Sequence, residues 1–199
     1  VSNMEPIVVV EALRTPRGAA KDTGALHSVA PMELLAGVLR GLRERSGVDT
    51  GTVADGVFGC VTPTGDQAGN IGKAAALLAD WSPALPAVTI NRYCASGLSA
   101  VNWAAQQARD LDAPTVAGGV EMMSRVPMFG DKAPYYSDRA LAGRIGFVPP
   151  PWSSPLAPGL RFQVVLTKRP ASPGYSDAGA ASSSASKSAT MRSRKVSNQ

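Results

Sequence analysis

The chain has 199 residues, 44% of them hydrophobic, 18% charged and 6% aromatic, with a formal net charge of +5. That length suits one domain or a domain with a tail, and the absence of any apolar run of about 18 residues excludes a transmembrane helix. Two cysteines, Cys60 and Cys94, make no disulfide framework, and a single histidine excludes most histidine-based metal sites, so no metal is expected.

The opening segment, Val1 to Pro6, lacks the basic-then-apolar pattern of a secretory signal, and a reducing, cytoplasmic home is expected. Ile7-Val8-Val9-Val10 is a short β-branched run and is expected to be a buried strand. Pro31 then opens a helix whose apolar positions, Met32, Leu35, Leu39 and Leu42, recur at helical spacing, with Gly47 as its stop. Val53 to Val61 is a second strand candidate, weakened by two glycines. Asn70 is placed to cap a helix in which Ile71, Ala74, Ala75 and Leu78 share a face. Pro86 to Asn91 is a third strand. From Ser96, Leu98, Val101, Ala105 and Ala108 follow helical spacing to about Asp110. Pro114-Thr115-Val116-Ala117 is a fourth strand, running into Gly118-Gly119. Beyond Ser124 the pattern dissolves into Pro127, Gly130, Pro134 and a Tyr135-Tyr136 pair.

The order βαβαβαβ predicts an α/β fold with a parallel sheet and helices on its faces. Ligands in such sheets collect beyond the carboxyl ends of the strands, here the loops after Val10, Val61, Asn91 and Ala117.

The positive charge is confined to the last quarter of the chain. Residues 1–150 hold 13 Lys and Arg against 14 Asp and Glu, whereas residues 151–199 hold 7 against the single acid Asp177. This quarter is rich in Ser, Ala and Pro, and its one long apolar stretch is Phe162-Gln163-Val164-Val165-Leu166. Such a segment buries too little surface to offset chain entropy, so a disordered C-terminal tail is expected. Only Phe162 and Tyr175 fall among its charges, too few to make an array of base-stacking platforms, so neither nucleic acid nor a membrane is expected as a partner.

Cys94 is the residue best placed for chemistry. It lies in Asn91-Arg92-Tyr93-Cys94-Ala95-Ser96-Gly97-Leu98-Ser99-Ala100, after the third strand and before a helix. The start of a helix offers the positive end of its dipole and free N–H donors, which stabilise a thiolate or an oxyanion. Position alone leaves open the plainer role of a small buried apolar residue. Cys60, placed within a strand, is expected to be just that. His27, in a polar loop, is expected to serve at the surface. Glu121 is either a site carboxylate or a turn residue satisfied by backbone donors. Gly118-Gly119 lacks the spacing of a dinucleotide fingerprint, and no P-loop, zinc cluster or serine nucleophile elbow is present.

Three stretches resemble the N-terminal half of the thiolases, the acetyl-CoA acyltransferases. Val10 to Gly18 resembles the family's opening strand and its Arg-Thr-Pro turn. Asn91 to Ala100 resembles the active-site segment, with Cys94 in the place of the acyl-accepting cysteine. Ala117 to Ser124 resembles the Ala-Gly-Gly-x-Glu-x-Met-Ser stretch after the fourth strand. The related ketoacyl synthases share the topology but have a cysteine segment richer in Ala and Ser. The resemblance implies thiolase-like αβα layers and an acyl-cysteine intermediate formed from an acyl-CoA or 3-ketoacyl-CoA. The acyl group then passes to coenzyme A or to the carbanion of acetyl-CoA. Coenzyme A enters as substrate, with no tightly bound cofactor, and a homo-oligomer, dimer or tetramer, is implied.

The division that follows is a thiolase-like domain over residues 1–124, the start of a loop domain over 125–149, and the basic tail over 150–199. The family's Asn-Glu-Ala-Phe, Gly-His-Pro and Cys-x-Gly-Gly-Gly segments are not present, so an incomplete fold with little or no turnover on its own is expected. The change of composition near Pro150 is what out-of-frame translation of a longer gene would produce. The competing reading is a non-catalytic remnant that binds a full-length relative.

Overall fold

A computed structural model describes residues 6–146 and 164–168. Strands β1 (Val8–Leu13), β2 (Asp55–Gly59), β3 (Ala87–Ile90), β4 (Thr115–Gly119) and β5 (Val164–Lys168) form one sheet in the order β1-β5-β4-β2-β3. β2 runs parallel to both β3 and β4, while β5 runs antiparallel to both β4 and β1. The first four strands therefore point the same way, as the alternating pattern predicts, and β5 is a reversed strand set among them.

Helices α1 (Pro31–Ser46), α2 (Ile71–Leu78) and α3 (Ser96–Asp110) begin and end as their sequences dictate. Pro31 stands in the first turn of α1, and Gly47 closes it in the left-handed conformation (φ 66°) with its amide on Arg43 O at 2.9 Å. The Asn70 side chain caps α2 by accepting the Lys73 amide. One face of the sheet meets α1 and α2, where Leu35, Leu39, Leu42, Phe58, Ile71 and Trp81 build the larger core. The opposite face meets α3 through Val57, Ala100, Ala104 and Ala117. Adjacent residues Val57 and Phe58 thus point into different cores, which is the alternation a strand imposes. The Trp81 indole N–H donates to Leu39 O at 3.2 Å, which satisfies its polar edge inside the first core.

Three expectations need correction. β1 is not a buried strand: it is an edge strand with β5 as its ladder neighbour, and Val8, Val9 and Val10 are 39%, 58% and 44% exposed. The tail expectation fails for residues 164–168, which form β5 between β1 and β4, with Leu166 and Thr167 buried. The Thr115 and Thr167 hydroxyls lie 2.9 Å apart across that pairing. The sheet supplies both ladders these residues need, which composition could not show. The remainder of 150–199 lies outside the described residues. A fourth helix, α4 (Arg139–Arg144), stands where no helix is expected, its N-terminus capped by the Asp138 carboxylate on the amides of Ala140 and Leu141. No helix among the described residues is long and apolar enough to cross a membrane.

Candidate active site

Three loops meet at the carboxyl ends of the parallel strands: residues 60–62 after β2, 91–95 after β3, and 120–122 after β4. Backbone bonds continue the strands into them, Cys60 N to Ile90 O and Val120 N to Gly59 O, each at 3.0 Å. The start of α3 sits against Gly59. A Cβ there would lie 2.6 Å from the Ser96 carbonyl carbon and 2.7 Å from Gly97 N, and one on Gly119 would lie 2.8 Å from Gly59 O. Only glycine lets the helix begin this close to the sheet.

Cys94 is exposed, in the turn that delivers β3 to α3. Tyr93 before it adopts a left-handed backbone (φ 48°), and Ala95 stands at the cap position of α3 with no side-chain cap. The first bond of α type runs from Ser99 N to Ala95 O at 2.9 Å, so the amides of Gly97 and Leu98 belong to the open first turn. The Ser96 hydroxyl ties the turn together, accepting from Arg92 N at 2.8 Å and donating to Tyr93 O at 2.6 Å. An exposed thiol beside uncapped helical amides is an arrangement that can hold a thiolate or the oxyanion of an acyl-transfer intermediate.

Glu121 is 8% exposed and takes the satisfied reading. Its Oε2 accepts Val61 N at 2.6 Å and its Oε1 accepts Gln67 Nε2 at 3.0 Å. Gln67 is fully buried, and its own carbonyl oxygen accepts Met122 N. Cys60 lies one residue past the end of β2 and is 1% exposed. Burial, and next the negative charge of Glu121, push its thiol up to about 12, so it stays protonated at neutral pH and is no nucleophile. His27 is half-buried, with its carbonyl accepting Arg125 Nη1 at 3.1 Å while Arg125 pairs with Asp66. No hydrogen bond among the described residues joins His27 or Glu121 to Cys94.

A tyrosine cluster borders the Cys94 turn. The hydroxyls of Tyr93 and Tyr135 lie 3.0 Å apart, and Tyr136 stacks edge-on against both Tyr135 and Phe129. The hydrogen bond to Tyr135 holds the Tyr93 hydroxyl above the usual phenol range. Sequence reasoning found Cys94 but missed three residues that shape its surroundings: Asn91, Gln67 and Tyr135. Asn91 does carry a local signal, an Asn two residues ahead of a backbone amide that it can accept; Gln67 carries none.

The architecture is therefore an α/β protein with a mixed sheet that presents a cysteine at a strand-to-helix turn. The chain belongs to the thiolase family: the family model for the thiolase N-terminal domain matches residues 7–141. It is 42% identical over 127 residues to the 3-ketoacyl-CoA thiolase of Citrobacter koseri, covering 63% of this chain and 32% of that protein. With the 3-ketoacyl-CoA thiolase of Bacillus subtilis the identity is 38% over 147 residues, covering 67% and 37%. Among solved structures, the acetyl-CoA acetyltransferase of Bacillus anthracis is similar with a TM-score of 0.56 and 36% identity, over 61% of this chain and 30% of that one. The chain thus spans about a third of the length of the curated relatives it matches.

Proposed function

We propose that this chain carries the nucleophilic part of a thiolase-type acyltransferase, with Cys94 as the acyl acceptor and acyl-CoA or 3-ketoacyl-CoA as substrate. The observation that carries the reading is the exposure of Cys94 at the uncapped start of α3, inside the family-matched region. In the degradative direction the Cys94 sulfur attacks the 3-keto carbon, and the resulting oxyanion is met by the amides of the open first turn. Collapse breaks the bond between C2 and C3. Its electron pair passes to C2, which takes a proton and leaves as acetyl-CoA, while the acyl group stays on sulfur. The thiol of coenzyme A then attacks the acyl-enzyme and returns Cys94 to its starting state. Coenzyme A is substrate throughout.

Cys94 needs a group to take its proton, and positioned proton transfer contributes roughly 10²–10⁴-fold. We assign that base, and the acid that protonates C2, to residues other than His27, Glu121 and Cys60, whose environments are described above. Full turnover is accordingly assigned to a longer assembly, a homo-oligomer in a cytoplasmic setting, rather than to the described residues alone.

The test is mass spectrometry of the chain after exposure to acetyl-CoA. An adduct of about 42 Da on the peptide containing Cys94 is expected. A folded sample that stays unmodified rejects Cys94 as acyl acceptor and favours the reading of a non-catalytic module that binds a full-length relative.

A further inference from the structure

We propose that Asn91, held in place by Glu121, is a positioning residue that sets the reactivity of Cys94 by fixing the backbone of Tyr93. The inference rests on the reading of Cys94 as the reacting group. It starts from an oddity of the turn: Tyr93, a bulky residue, has φ 48°. That region is disfavoured for any side chain with a Cβ, so the surroundings must impose it.

A continuous set of hydrogen bonds does so. The buried Glu121 carboxylate accepts Val61 N at 2.6 Å, and Val61 O accepts Asn91 Nδ2 at 2.9 Å. Asn91 Oδ1 in turn accepts Tyr93 N at 2.8 Å. The carboxylate cannot swing away, because the buried Gln67 amide holds its other oxygen. On the far side, Tyr93 O accepts both Ser96 N and the Ser96 hydroxyl, which fixes the peptide unit leading into Cys94. Among the described residues, the Asn91 amide is therefore the side chain that links the frame of β2 and β4 to the amide of the residue before the nucleophile. Without it, Tyr93 can relax to negative φ, and Cys94 turns away from the amides of the α3 first turn. Sequence spacing alone could not show this, since Glu121, Val61 and Asn91 belong to three different loops.

The experiment uses the full chain and measures alkylation of Cys94 by iodoacetamide at neutral pH, read peptide by peptide, with buried Cys60 as internal control. Asn91→Ala is expected to slow Cys94 alkylation by about tenfold. Asn91→Ser, whose hydroxyl can still accept the Tyr93 amide, is expected to stay within about threefold of the parent. The decisive arm is Tyr93→Gly, because glycine adopts positive φ without help: in that background Asn91→Ala should change the rate by less than about twofold. Equal slowing by Asn91→Ala in both backgrounds overturns the proposal, as does an unchanged rate in the parent background. If Asn91→Ala does not fold, Asn91→Leu, close to it in size and without a hydrogen-bond acceptor, replaces it in both backgrounds and is judged by the same outcomes. Acetyl transfer from acetyl-CoA is scored separately. If the parent takes no acetyl group while alkylation still follows Asn91 and is restored by Tyr93→Gly, the acyl-transfer reading fails and the positioning role stands. If Asn91→Ala is acetylated and alkylated at the parent rate, the positioning role fails and the acyl-transfer reading stands.

Discussion

Two strand-turn-helix units lie side by side in this molecule, and each carries one of its two cysteines. After β2 the chain passes through Cys60 and reaches α2; after β3 it passes through Cys94 and reaches α3. The first unit is closed. Cys60 is buried beside a carboxylate, and the start of α2 is capped by Asn70, which also donates to Ala87 O and accepts the Thr89 hydroxyl. The second is open. Cys94 is exposed and α3 starts at an alanine with no side chain to satisfy its first amides. The same residue type at the same end of one sheet is thus made inert in one loop and available in the next. The difference lies in burial, the nearest charge and the cap, not in the cysteine itself.

The contrast can be broken most completely at the nucleophile. Cys94→Ser should abolish the acetyl adduct, whereas Cys60→Ala should leave it in place, and peptide mass mapping reads both. Gly59→Ala should blur the contrast by pushing the start of α3 off the sheet. Its Cβ would meet helix backbone rather than a flexible side chain, and a cost of about 1–3 kcal/mol is expected in denaturant unfolding. Opening the closed unit with Asn70→Ala should cost about 1 kcal/mol in the same measurement, with the reactivity of Cys94 unchanged. The smallest effect is confined to alkaline solution. Because the Cys60 thiol is raised in the folded state, its contribution to stability is complete below its ordinary range and is lost as pH climbs toward about 12. The parent should therefore lose more stability than Cys60→Ala between about pH 9 and pH 12, measured by thermal unfolding across that window.

Where an element is punctuated by its own residues, it could be read directly. Pro31 and Gly47 bound α1, Asn70 caps α2, and the strand and helix around Cys94 fall close to the bounds expected, although α3 buries Ala100, Ala104 and Ala108 and leaves Leu98, expected on its apolar face, exposed. Other features are tertiary. Val164–Lys168 carries no turn signal and sits in Ser-, Pro- and Ala-rich text; its strand character comes from β1 and β4 on either side. The six residues of α4 are too few to display an amphipathic period, although Asp138 is a cap in plain sight. The motif around Cys94 was legible in the candidate site, and so were the alternatives for Glu121. Gln67 and Tyr135 were not, because their partners are distant in sequence: Gln67 and Glu121 are 54 residues apart. Asn91 showed only its local half, the bond from Tyr93 N, while its bond to Val61 O spans 30 residues.

The place of β5 has a consequence for how the chain is made. β1 is made before the other described strands, yet among the described residues its one ladder neighbour is β5, and Val8 stands in register with Lys168. The nascent chain can assemble β2, β3 and β4 with their helices while β1 waits with its valines uncovered. Closing so long a loop adds little free energy beyond that of a shorter one, but it delays the docking of β1 until β5 has been made. Among the described strands, then, β1 is made before its partner by about 150 residues, and it is the strand most in need of shelter from other chains.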